Sequence, residues 1–178
     1  MDTDELMDLV DKNDIKIGVI NRLQLDSLMD INKKCYLRTS CALMRNSLGQ
    51  YWTPRRVATK KIAPNGLDFA MAEHIHVNET YLDAAVRGFT EELNLHIRPT
   101  DLTLVGILGP RVELQLPYFS AIYTYDTDSE PDEYNRDDFV GGEWLEPQEI
   151  IAQVKNGQAA KSLLVPAVKL ALLQQGRL

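Results

Sequence analysis

The sequence predicts a mixed β-sheet covered by helices, and three observations support this fold class. The predicted elements run as several strands, one helix, more strands and then helices, unlike the strict alternation of a parallel doubly wound fold. The strongest helix pattern, at residues 80–93, has a single apolar face. The chain has 178 residues and 44% hydrophobic residues, so we expect one domain over residues 1–178 with a sizeable core.

The first half of the chain is rich in strand patterns separated by turn residues. The sequence Asn46-Ser-Leu-Gly49 is typical of a tight turn, so the strands on either side of it should form a hairpin. Residues 1–14 form an acidic N-terminal segment to which we assign no strand. The other elements predicted here are strands at 15–23, 36–45 and 50–56, a short helix at 26–34, a loop at 60–66 and two short extended pieces in 67–77.

The second half begins with the best helix, at residues 80–93. Its apolar residues recur at three- and four-residue steps, and Asn78 or Thr80 is suited to cap its N-terminus. An acidic, polar segment at residues 126–138 predicts a mobile loop. The remaining predicted elements are strands at 102–112, 116–125 and 139–145 and helices at 147–154 and 163–175.

Composition excludes several classes of partner. The net charge of −7 argues against binding a nucleic-acid polymer or an anionic membrane. The N-terminus lacks the layout of a signal peptide, and no apolar run approaches the length of a membrane span. Cys35 and Cys41 have neither metal-site nor disulfide-framework spacing, so we expect reduced thiols in a cytoplasmic protein.

The predicted helix at 80–93 carries an acidic pattern suited to metal chemistry. Taking position 88 as i, Glu91 and Glu92 lie at i+3 and i+4 and therefore share a face with it. Carboxylates that converge in this way can hold Mg²⁺ or Mn²⁺, but Gly88 supplies no ligand. Arg87 and Glu91 are also four residues apart, so Arg87 either orients a ligand carboxylate or forms a solvated ion pair.

The pattern from Glu73 to Leu95 resembles the Nudix box, G-x5-E-x7-R-E-U-x-E-E-x-G-U, in which U is a bulky apolar residue. Glu79 matches the first acid and Arg87 the arginine that follows it after seven residues. Glu91 and Glu92 match the acid pair. The resemblance implies an α/β/α sandwich with a mixed sheet. It also implies Glu91 and Glu92 as metal ligands, Arg87 as the orienting residue and Glu79 as a supporting acid.

Three positions depart from the Nudix box. Glu73 stands at the opening glycine, Gly88 at the glutamate after the arginine, and Asn94 at the late glycine. Asparagine tolerates a left-handed helix end, so the change at position 94 is mild. Gly88 replaces a residue to which the family assigns a metal-binding role. We therefore advance the hypothesis that Glu73 reaches into the site as a compensating carboxylate.

Other residues are candidates for binding substrate. The N-terminal region resembles the isopentenyl-diphosphate-isomerase-like branch of the superfamily, but the position of the isomerase cysteine is Ala72 here. Arg55 and Arg56 suit a diphosphate, or else lie at a solvated strand end. His74 suits metal or phosphate contact, or else is a hydrogen-bonded structural residue. Asp138 stands where many Nudix proteins carry a further acid.

Two functions follow from the resemblance. The first is a Mg²⁺- or Mn²⁺-dependent hydrolase of a nucleoside diphosphate linked to another moiety, with weak or unusual activity because of Gly88. The alternative is a catalytically impaired Nudix-fold module that binds a nucleotide or a protein. We favour the enzyme, with a small-molecule diphosphate as substrate, and expect a homodimer as the common default for such proteins.

Overall fold

A central helix divides the strands of this protein into an earlier and a later group. The structure is a computed structural model that describes residues 5–24, 35–111 and 116–177. Short 3-10 turns occur at Arg22–Gln24 and Pro99–Asp101. The strands and helices of the described ranges are β1 Leu6–Val10, β2 Lys16–Asn21, β3 Leu37–Arg45, β4 Tyr51–Arg56, β5 Met71–His74, α1 Tyr81–Leu93, β6 Leu102–Leu108, β7 Tyr118–Asp126, β8 Phe139–Leu145, α2 Pro147–Lys155 and α3 Leu164–Gln174.

The main sheet is mixed, as predicted. Its strand order is β6-β7-β3-β4-β8, with β3 parallel to β7 and the other pairs antiparallel. One edge of β3 is divided between two partners. Met44 and Arg45 pair with β4, whereas residues 39–42 pair with β5. The short strand β5 therefore lies in the sheet beside β3 and brings its own side chains next to helix α1.

Helices cover both faces of this sheet because side chains alternate along its central strand. Cys41 and Leu43 of β3 belong to the core cluster that also contains residues of α2 and α3. Ala42 and Met44 belong to the opposite cluster, with Phe89 and other residues of α1. The result is the three-layered α/β/α sandwich that the sequence predicted.

The N-terminal residues form a hairpin that the sequence analysis did not anticipate. Strands β1 and β2 pair antiparallel within the segment that we treated partly as an acidic extension. Met7 and Ile20 pack with Leu37 of β3 in a third buried cluster, which attaches the hairpin to the sandwich. Asp8 is buried within the hairpin and forms an ion pair with Lys16.

Most predicted elements agree with the observed ones to within a few residues. The later strands are shorter than expected at the connection between them, because β6 ends at Leu108 and β7 begins at Tyr118. The predicted helix at 26–34 lies outside the described residues. The predicted loop at 126–138 is largely irregular, and Asn135 ties it to α1 by donating its N–H to the Glu92 carbonyl at 2.7 Å. Its mobility stays a prediction.

Candidate active site

Helix α1 presents the acidic pattern because both of its ends are defined by local interactions. The Thr80 hydroxyl oxygen caps the N-terminus by accepting a hydrogen bond from the N–H of Asp83 at 3.1 Å. The Asp83 carboxylate in turn accepts a hydrogen bond from the N–H of Thr80. Asn94 ends the helix in the left-handed conformation with φ of 51°, which agrees with the expectation for asparagine at this position. Phe89 and Leu93 are fully buried, so the rotation of the helix about its axis is determined by packing.

Arg87 connects the parts of the site. Its Nε donates to Glu79 Oε1 at 2.8 Å and its Nη1 to Glu91 Oε2 at 2.9 Å. Its Nη2 donates to the carbonyl oxygen of His74 in β5 at 2.7 Å. Arg87 thus makes the helical contact to Glu91 predicted from the four-residue spacing, and it also links α1 to the strand that carries Glu73.

Glu79 holds Arg87 from the loop before the helix. Its second oxygen accepts Arg87 Nη2 at 3.0 Å and the N–H of His76 at 2.9 Å. Burial alone would raise the pKa of Glu79, but the hydrogen bonds from Arg87 and His76 outweigh burial and lower it. Glu79 therefore fixes the position of Arg87, and its role as a supporting acid in catalysis stays a prediction.

Glu92 is the most deeply placed acid of the helix. Its side chain is buried, and its Oε1 accepts the N–H of Ala72 in β5 at 2.9 Å. Burial, followed by repulsion from Glu73, raises the pKa of Glu92 well above its ordinary value. A charge that balances Glu92 would relieve this repulsion.

Glu73 approaches the same region from β5. Its Oε2 lies 3.5 Å from Arg87 Nη1, and its side chain is only 18% exposed. Burial, with repulsion from Glu91 and Glu5, raises the pKa of Glu73, although attraction to Arg87 opposes the shift. Glu73 is thus near enough to Glu91 and Glu92 for their charges to interact, and its role as a compensating carboxylate stays a hypothesis.

Two cavities meet at Glu73. The larger, of about 550 Å³, is polar and open, and it combines acids with cationic groups. The smaller, of about 140 Å³, has mostly apolar walls and contains Lys161. The titratable residues that line the larger cavity are Glu5, Arg22, Glu73, His76, Arg87 and Glu91. The lining of the smaller cavity includes Cys41, Phe69, Glu73, His74, Tyr118 and Lys161.

His74 lines the smaller cavity in an uncharged state. Its Nε2 is buried without a hydrogen-bond partner among the described residues. Burial, reinforced by the nearby charge of Arg22, lowers the pKa of His74 to about 4. Its ring packs edge-on against Tyr118, with 5.7 Å between ring centroids. His74 therefore remains a candidate for substrate contact rather than a residue fully occupied by structural bonds.

Arg55 and Arg56 are not brought to these cavities. Arg56 is buried, pairs with Asp68 and donates to the Ile62 carbonyl at 2.8 Å, which accounts for it as a structural residue. Arg55 projects elsewhere and pairs with Glu143 at 3.3 Å. The two arginines are thus engaged in separate ion pairs and do not form one clamp.

Asp138 lines neither cavity. It forms an ion pair with Lys60, and its charge contributes to the raised pKa of Glu92. Sequence reasoning missed Arg22 and Lys161, which supply positive charge on the two sides of Glu73. No local motif marks either residue, because each reaches the site only through the packing of distant segments.

The donor set suits a hard divalent cation, but its side chains are engaged elsewhere. Within residues 5–24, 35–111 and 116–177, no group of three or more His, Cys, Asp or Glu side chains is arranged to hold a metal ion. Glu91 is bound by Arg87 and Glu92 by the Ala72 N–H. Carboxylate oxygens are the ligands that Mg²⁺ and Mn²⁺ prefer, so Glu73, Glu91 and Glu92 fit the ion chemically.

Comparison with known proteins identifies the family. Residues 36–167 match the model of the NUDIX domain. The chain belongs to the Nudix hydrolase family. It is 39% identical to an uncharacterized Nudix hydrolase from Nostoc sp. over 166 residues, which cover 93% of this chain and 95% of that protein. It is 34% identical to a Nudix hydrolase from Deinococcus radiodurans over 167 residues, or 94% of each chain.

Solved structures support the same Nudix assignment. The crystal structure of DR0079 from Deinococcus radiodurans has a TM-score of 0.78 and 33% identity, covering 93% of this chain and 98% of that one. A MutT protein from Methanosarcina mazei has a TM-score of 0.61 at 10% identity, covers 79% and 95%, and shows the fold alone. In the described part of this Nudix protein, no helix is long and apolar enough to cross a membrane.

Proposed function

We propose that this protein is a Mg²⁺- or Mn²⁺-dependent pyrophosphohydrolase whose substrate is a nucleoside diphosphate linked to another moiety. The observation that carries the proposal is the arrangement around Arg87. This one guanidinium binds Glu79 and Glu91, lies 3.5 Å from Glu73, and forms part of an open cavity. The acids supply cation ligands, while Arg22 in the same cavity supplies a positive group for phosphate oxygens.

Glu92, Glu91 and Glu73 are the residues that would hold the cation. When bound, such an ion neutralises charge on phosphate oxygens and lowers the pKa of a coordinated water. Glu92 is held by a backbone N–H, so its carboxylate has a defined position. Glu91 precedes Glu92 in the helix, is about half exposed and lines the larger cavity.

The protein's own groups would position the reaction. Arg87 orients Glu91, and Glu79 orients Arg87 through two hydrogen bonds. Glu91 is the candidate to accept a proton from the attacking water. Its side chain is accessible to solvent, and the hydrogen bond from Arg87 to Oε2 leaves Oε1 available. Lys161 and His74 line the adjoining cavity, where they would contact the part of the substrate beyond the reacting phosphate.

The test is hydrolysis of a panel of nucleoside diphosphate derivatives with Mn²⁺, measured as the phosphate that an added phosphatase releases from the monophosphate products. We expect turnover by the wild type and a loss of at least about 100-fold in Glu92→Gln, because the variant lacks a ligand of the cation that stabilises transition-state charge. Glu149→Gln is the control, because Glu149 is an acid of the distant helix α2. Turnover that is unaffected by chelation, or by Glu92→Gln, would contradict the proposal. Absence of turnover on the whole panel would favour a binding module.

Three finer predictions extend this proposal. The N-terminal segment supports membership of the isomerase-like branch without the isomerase reaction, and an assay for isomerisation of isopentenyl diphosphate, expected to be negative, tests the second part. A cytoplasmic location is consistent with the buried thiol of Cys41. A homodimer stays a prediction, which light scattering of the purified protein would test.

A further inference from the structure

Gly88 and Glu73 compete for one space between α1 and β5. A Cβ atom at position 88 would lie 2.8 Å from Cγ of Glu73, and 2.5 Å and 2.6 Å from Sδ and Cγ of Met71. Real Cβ atoms do not approach other heavy atoms so closely. The glycine is thus the condition under which the side chains of Met71 and Glu73 pass over this turn of the helix.

The carboxylate of Glu73 has few partners for a group so little exposed. Among the described residues it accepts no hydrogen bond, and its one ion pair, to Arg87, is long at 3.5 Å. Glu91 and Glu92 each accept a hydrogen bond from protein, at 2.9 Å. Glu73 is consequently the least engaged of the three acids, although it lies at the junction of both cavities.

We infer that Glu73 supplies from strand β5 the carboxylate that helix position 88 lacks. Compared with the Nudix box, glutamate and glycine have changed places between positions 73 and 88, and we call this the exchange. Positions 88, 91 and 92 share a helix face, and a side chain at 88 would start from the space that the stem of Glu73 now fills. The inference rests on the proposed cation-dependent function, because the exchanged acid acts as a ligand of that cation.

A structural explanation makes different predictions. In that explanation Gly88 merely allows close packing, and Glu73 merely adds a weak ion pair to Arg87. Removing the charge of Glu73 would then leave cation affinity unchanged. If the exchange is correct, removing the charge of Glu73 removes one of three protein ligands. The cation then binds more weakly even without substrate.

The decisive experiment is a Mn²⁺ titration of the purified protein without substrate, in which electron paramagnetic resonance measures the free ion. We expect Glu73→Gln and Glu92→Gln each to weaken Mn²⁺ binding at least tenfold. Glu5→Gln is the matched control, because Glu5 lines the larger cavity and its substitution removes the same charge. We expect Glu5→Gln to change the affinity less than about threefold, the scale of a long-range charge effect.

The outcomes separate the inference from the proposed function. Unchanged affinity in Glu73→Gln, with weakened binding in Glu92→Gln, overturns the exchange and leaves the cation-dependent function standing. Equal weakening by Glu73→Gln and Glu5→Gln also overturns it, because charge alone would then explain the effect. A wild type that binds no Mn²⁺ and hydrolyses no substrate overturns both.

A swap of the two residues provides a second test. The variant Glu73→Gly/Gly88→Glu should recover Mn²⁺ affinity relative to Glu73→Gly, once Met71→Ala opens the remaining space in both proteins. Circular dichroism establishes that the compared proteins are folded. Recovery of at least fivefold supports the exchange, and no recovery in a folded protein overturns it. If the swapped protein does not fold, the Glu73→Gln titration decides alone.

Discussion

Substitution of Gly88 by alanine should destabilise this protein, although it would stabilise an unobstructed helix. An alanine in a helix interior is about 1 kcal/mol more favourable than a glycine. At position 88, however, the added Cβ would lie 2.5 Å from Sδ of Met71. Met71 is completely buried and packs in the core cluster with Phe89, so a shift of its side chain disturbs the packing of the core.

The expected magnitude follows from two opposing terms. Forcing an extra carbon into a well-packed core costs about 1–3 kcal/mol. The gain in helix propensity offsets about 1 kcal/mol of this cost. We therefore expect Gly88→Ala to lower the free energy of unfolding by about 1 kcal/mol. For a chain of this length the melting temperature should fall by roughly 2–4 °C.

The effect is measured as the free energy of unfolding, by urea denaturation of the wild type, Gly88→Ala, Met71→Ala and the double variant. Met71→Ala removes the nearer of the two obstructing side chains and leaves Glu73, whose Cγ lies 2.8 Å from the added Cβ. Gly88→Ala should therefore be less destabilising in the Met71→Ala protein than in the wild type. If Gly88→Ala stabilises the wild type and the Met71→Ala protein equally, Met71 does not obstruct a side chain at position 88 and the reasoning is refuted.

Three further predictions concern stability and reactivity. Arg56→Met should cost about 3–5 kcal/mol in urea denaturation because it leaves a buried carboxylate unpaired, whereas Arg55→Met should cost less than about 0.5 kcal/mol; equal costs would contradict the structural assignment of Arg56. Thr80→Ala should cost about 1 kcal/mol in thermal unfolding through loss of the helix cap, and an unchanged melting temperature would refute this. Burial raises the pKa of Cys41 to about 12, so iodoacetamide at about pH 8 should modify it only after unfolding. Mass spectrometry that finds modified Cys41 in the folded protein would contradict this.

Local patterns predicted much of the fold, and the N-terminal hairpin shows where they fail. Residues 80–93 carry a full helical apolar repeat with a cap, so the helix could be recognised without tertiary information. Strand β1 has only five residues, and its central Asp8 has the character of a surface residue. Asp8 is buried because Lys16 pairs with it and Arg38 lies 3.8 Å away, and Arg38 belongs to a separate strand.

Some residues of the candidate site could likewise be predicted from local patterns, and others could not. The contact from Arg87 to Glu91 follows from helix geometry, and the spacing pattern identified Glu79. Arg55 and Arg56 suited a diphosphate as a pair, but each forms its own ion pair, with Glu143 and Asp68 respectively. Arg22 could not be found, because only the attachment of the hairpin to β3 brings it into the cavity with Glu73.

The steric exclusion between a side chain at position 88 and Glu73 has an evolutionary consequence. One arrangement has the acid at position 73 and glycine at position 88, and the other has these two residue types reversed. Under the inferred exchange neither single step would be neutral, because Gly88→Glu alone crowds two acids together and Glu73→Gly alone leaves neither position with an acid. The two arrangements would then be separated by reciprocal sign epistasis. Relatives should therefore carry the acid at one position or the other, and a lineage that has crossed will rarely return.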